Sequence, residues 1–77
     1  MNNNEWELTA SRALVGRKIV AVRYMTSQEA EGLGWYSRPV VFQLDDNSLW
    51  WPSADDEGNN GGALFSTNPK CDTLPVL

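Results

Sequence analysis

Asp55, Asp56, Glu57, Asn59 and Asn60 form the one run whose side chains suit ion chemistry, set among glycines. Hard divalent cations such as Ca²⁺ take about six to eight oxygens, so the composition is suitable. The spacing is not. Counted from Asp55, an EF-hand loop needs glycine at its sixth position and glutamate at its twelfth, where this chain has Asn60 and Ser66. A cation would fall to Asp55, Asp56, Glu57 and Asn59; the competing description is a solvated loop whose Asp and Asn groups cap its own turns. As an acid/base pair these carboxylates lack an apolar pocket to separate their protonation roles. Residues 58–62 are no phosphate cradle either, because no lysine follows them and the local charge repels anions.

Other catalytic chemistry finds no partner. The chain has one cysteine, Cys71, and no histidine. A nucleophilic thiol needs a base beside it, and only Lys70 is adjacent. Serine catalysis lacks the same base, and four-ligand Cys/His zinc sites are excluded. The expectation is a protein that is not an enzyme, with no catalytic residue and no cofactor.

Aromatic residues are the stronger lead. Residues 38–52 read as one β-hairpin. A two-residue turn at Asp46 and Asn47 sets Leu44 against Leu49, Gln43 against Trp50 and Phe42 against Trp51. Side chains alternate faces along a strand, so Phe42, Leu44, Leu49 and Trp51 share one side. Trp50 then projects from the other, beside Val41 and Gln43. Trp35 and Tyr36 precede the hairpin, and Arg38 lies between. Exposed aromatics with an arginine nearby dominate binding hot spots, so Trp35, Tyr36, Arg38 and Trp50 are the expected partner-binding set. The alternative packs Trp50 under the N-terminal segment, against Trp6 or Leu8.

These groups need a scaffold. Residues 1–8 read as a flexible N-terminal segment and residues 9–77 as one domain. Thr9 can cap a helical turn that Gly16 stops. Residues 18–25 form a first strand with apolar groups on both faces, which predicts burial on both sides. Thr26 and Glu29 make a capping box, with Met25 and Ala30 as its hydrophobic staple, and Gly32 and Gly34 end that short helix. Residues 63–67 make a fourth strand. Residues 73–77 make a fifth, which Pro75 confines to an edge or bulge.

Net charge is −4, from six basic and ten acidic residues. Nucleic acid is a poor partner for such a chain, since binding it requires Lys and Arg against phosphate. No apolar run is long enough to span a membrane, and residues 1–5 lack the pattern of a secretory signal. A lone cysteine fits a reducing cytoplasm. A core of this size supplies only about 3–5 kcal/mol without disulfide or metal. The four tryptophans must then carry it, or a second copy must help to bury it as a homodimer.

The runs LVGRKI (14–19), SRPVV (37–41), LDD (44–46), PSADDEGN (52–59) and ALF (63–65) resemble a family of short uncharacterised bacterial single-domain proteins. The likeness covers roughly residues 14–65 and implies a bacterial origin and a compact domain. That family has no known activity, so no functional residue carries over. At the hairpin turn the chain departs from it, with Asn47 where glycine is expected.

Five short strands and one helical insertion predict a mostly β fold, a small SH3-like five-stranded barrel. The alternative is α+β with a three- to four-stranded antiparallel sheet. Either scaffold suits a non-catalytic protein-interaction module or a small assembly subunit, with the divalent-cation loop at 55–60 as the alternative function.

Overall fold

Asn2 opens the first element of the computed structural model, which describes residues 2–53 and 61–77. Its Oδ1 accepts the Glu5 amide at 2.9 Å, an N-cap that satisfies one of the four unpaired donors of a helix start. Helix α1 (Asn3–Leu14) carries Glu5 in its first turn and Arg12 in its last, matching the helix dipole at both ends. Trp6, Ala10, Ala13 and Leu14 make its inward stripe. The segment expected to be flexible therefore holds the first half of a helix. Thr9 lies inside it, its hydroxyl donating to Glu5 O at 2.9 Å, and is not its cap. Gly16, at φ +80°, turns the chain just beyond the helix end as expected.

Strand β1 (Ile19–Tyr24) leads into helix α2 (Ser27–Gly32) through the anticipated capping box. Thr26 Oγ1 accepts the Glu29 amide at 3.1 Å, and Glu29 Oε1 accepts the Thr26 amide at 2.8 Å. Gly34, at φ +76°, allows Trp35 N–H to reach Ala30 O at 2.9 Å and its own N–H to reach Glu31 O at 3.0 Å. That double closure is a Schellman motif.

Strands β2 (Val40–Leu44), β3 (Leu49–Pro52), β4 (Leu64–Ser66) and β5 (Thr73–Leu74) follow. The sheet order is β1-β2-β3-β4-β5, and every neighbouring pair is antiparallel. The protein is thus α+β with an open five-stranded sheet, and the barrel expectation is corrected. Closure would need β1 to pair with β5, but β5 has two residues and stops at Pro75, which has no N–H to donate.

Each face of the sheet carries its own small core. On one face, Ala13 of α1 packs with Leu44, Trp50 and Cys71, flanked by Leu14, Phe42, Leu64 and Leu74. On the other, Met25 and Ala30 pack with Val41, flanked by Trp35, Leu49 and Trp51. Two thin layers therefore replace the single interior of a barrel.

The hairpin register differs from the expected one by one residue. Phe42 pairs with Trp50 and Gln43 with Leu49. The loop has three residues: Leu44 O accepts the Asn47 amide at 2.9 Å, and the ladder resumes where Leu44 N–H meets Ser48 O at 3.0 Å. Only Asn47 takes positive φ, at 71°. A two-residue type I′ turn would demand it of Asp46 as well, whereas a type I turn followed by one left-handed residue does not. Asp46 Oδ1 then accepts both the Ser48 amide at 3.0 Å and the Ser48 hydroxyl at 2.5 Å. A one-residue slip moves every side chain of a strand to the opposite face. Trp50 consequently points towards α1, and Trp51 joins Val41 and Leu49 on the α2 side.

Candidate functional site

The expected partner-binding residues do not form one surface. Trp50 is 0 % exposed, and its indole N–H donates to Ser48 Oγ at 2.8 Å. It is the most buried large side chain of the described residues, so the outward placement is overturned and the alternative of a packed Trp50 is the better description. Its neighbour from the N-terminal helix is Ala13, rather than Trp6 or Leu8. Trp35 lies across the sheet, half-buried, with its ring centroid 6.3 Å from Phe65 at an interplanar angle of 27°. Arg38 Nε donates to Met25 O at 2.7 Å, clipping the approach to β2 against the end of β1. Tyr36 alone of the four is fully exposed.

The acidic run 55–60 lies outside the described residues. Among the described residues, no group of three or more His, Cys, Asp or Glu side chains is placed to hold a metal ion. Cys71 is buried, and burial, with Asp72 adding to it, pushes its thiol pKa up, away from the thiolate a nucleophile requires.

What the sheet does expose is β1. All six of its residues are open to solvent. Ile19, Val20, Val22 and Tyr24 retain 57–63 % of their area. The strand was expected to be buried because both of its faces are apolar. It is a free edge because the meander starts with it and α1 covers the residues of β2 to β5 and the Cys71 turn. The pattern that marks a covered strand here marks an uncovered one. The signal available in sequence was topological: the first strand of an unclosed meander has one neighbour.

Beside β1, on the α2 face, runs a cleft of about 220 Å³. Met25, Leu33, Val41, Leu49 and Trp51 line it together with Arg23, Glu29 and Thr67. The Trp51 indole N–H is buried without a hydrogen-bond partner among the described residues. Arg23 grips Glu29 through both guanidinium nitrogens, at 2.8 and 3.0 Å. Those bonds, with the Thr26 amide, lower the Glu29 pKa to about 2, and the same pairing raises that of Arg23. The pair fixes α2 to β1, and Arg23 Nη1 also donates to Tyr24 O at 3.2 Å. A second concavity, about 180 Å³ beside the hairpin turn, is lined by Asp46, Asn47, Ser48, Thr67, Asn68 and Pro69. Its carboxylate is already engaged by Ser48.

Chemically the arrangement offers main-chain donors and acceptors along an apolar strand, next to a small apolar cleft. It suits recognition of an extended polypeptide. No protein-family model, no curated protein and no solved structure matches the chain. Among the described residues, no helix is long and apolar enough to cross a membrane.

Proposed function

We propose that this protein is a non-catalytic interaction module or assembly subunit that takes up an extended segment of a protein partner along β1. One observation carries the reading: a terminal strand of six residues, with four large apolar side chains more than half exposed and no covering element. Edge strands are costly to leave open, and folded proteins blunt them with prolines, lysines, bulges or a covering segment. β1 has one bulge near its start, between Ile19 and Ala21, and a single charge, Arg23, which is tied to Glu29. Beyond the bulge Val22 and Tyr24 stand exposed, and on the free side Tyr24 O accepts a 3.2 Å bond from Arg23 Nη1. Main-chain bonding supplies affinity in strand addition, and the alternate side chains supply selectivity. Tyr36 supplies a further exposed aromatic contact, whereas Trp50 serves the core.

A photo-crosslinking residue placed at Val22 or Tyr24 and activated in the native cell tests this. Adducts are expected from both positions and not from Glu7, which is exposed on α1. If neither β1 position forms an adduct, with another protein or with a second copy, the reading fails.

A further inference from the structure

We infer that the segment received by β1 is β1 of a second copy, paired antiparallel about a two-fold axis at Val22, so that two open sheets become one of ten strands. This rests on the reading of β1 as a docking edge, and the backbone phase specifies the register. Met25 N–H donates to Pro39 O at 2.8 Å, so residue 25 faces β2, as does residue 23 by the alternation of antiparallel bonds. The N–H and C=O groups of Val22 and Tyr24 therefore point to the free side. Tyr24 O, on that side, accepts a bond of 3.2 Å from Arg23 Nη1, which an incoming amide would replace. Setting Val22 opposite its own counterpart brings Arg23 opposite Ala21 and Tyr24 opposite Val20, which matches the strand to itself as far as the bulge between Ile19 and Ala21.

Charge favours the same arrangement. Arg23 comes opposite Ala21 of the second copy, so the two Arg23 guanidinium groups do not meet. Lys18, beyond the bulge, comes to the end of the second copy's strand, where Thr26 caps α2 and Glu29 and Glu31 lie in the helix behind it. Neither Lys18 nor Glu31 takes part in an ion pair among the described residues, and Arg17 is already near Asp45 and Asp46 at 3.8 and 3.7 Å. The basic start of β1 thus meets the acidic end of its neighbour, which a parallel pairing would prevent. Side chains directly opposite share a face, so Val22 and Tyr24 of both copies would form one apolar strip on the face of Phe42, where α1 leaves β1 uncovered. A seam of one strand pair lies below the roughly 800 Å² per partner of standard interfaces, so the dimer dissociates on dilution.

Sedimentation velocity on the full chain over a wide concentration range reads this directly. Wild type is expected to pass from one-chain to two-chain mass as concentration rises. V22K sets two ammonium groups face to face on the axis, and the two-chain species should be lost with the far-UV spectrum unchanged. V22P, a proline whose missing N–H is the one facing solvent, should act likewise. V22C should form an intermolecular disulfide on mild oxidation, since hydrogen-bonded partners lie about 5.5 Å apart at Cα. One-chain mass at every concentration overturns the inference, and so does a V22K dimer as strong as wild type. If the chain is monomeric while photo-crosslinks at Tyr24 join it to a different protein, self-pairing fails and the docking edge stands. If neither occurs, both fail.

Discussion

Replacing Trp50 by alanine removes a side chain that is 0 % exposed and packs with Leu44, Ala13 and Cys71. Truncating a buried tryptophan costs about 3–5 kcal/mol, from lost transfer energy and the cavity left behind. The Ser48 hydroxyl also loses the indole N–H it accepts. A domain of this length has only about 3–5 kcal/mol to lose, so W50A is expected to be largely unfolded at room temperature. Trp51 is half-buried, and its truncation should cost roughly 1–2 kcal/mol, a partial share of full burial. The ordering is the informative quantity, because a two-residue hairpin turn would reverse it. Urea denaturation followed by far-UV circular dichroism, with wild type, W50A and W51A side by side, measures it. A W50A variant more stable than W51A would refute the register and with it the assignment of the two sheet faces.

Further expectations concern the turn, the cap and pH. Asn47 sits at φ 71°; N47G should stabilise by up to about 1 kcal/mol, and N47V should destabilise by about 1–2 kcal/mol, both measurable as urea midpoints. T26A removes the N-cap of α2 and should cost about 1 kcal/mol, with loss of amide protection at Glu29. Glu29 titrates near 2 in the folded chain, against an ordinary 4.5, because Arg23 and the Thr26 amide hold its charged form. The unfolded chain therefore binds the proton first, so this contribution is complete above about 4.5 and is lost as pH falls towards about 2. Asp46, held low mainly by the Ser48 hydroxyl and amide, acts in the same direction. E29Q should flatten the acid limb of the stability profile, and an unchanged profile would contradict the Arg23 contact.

Local chemistry made much of the fold legible. Thr26 and Glu29 are a capping box because both partners of each bond lie within four residues, and Met25 and Ala30 follow from the same turn. Pro75 ends β5 for want of an N–H. Asn2 was less legible as a helix start, since Asn3 and Asn4 directly after it are weak helix formers and a helix of this length draws most of its stability from packing. The candidate surface was misplaced through one turn. Asp45, Asp46 and Asn47 are compatible with a two-residue or a three-residue loop, and the choice decides which indole is hidden.

Sequence alone determined where the strands and the second helix lie, how they are capped and stopped, and that one cysteine leaves the core without an internal disulfide. Tertiary structure decided the hairpin register, the side of the sheet each indole occupies, and whether the first strand ends up covered or bare. Capping and turn breaking depend on neighbours a few residues apart. Register and edge exposure depend on what packs across the sheet: Trp50 settles against Ala13 and Cys71, far from it in sequence, and β1 keeps an open edge because β2 is its one neighbour in the sheet.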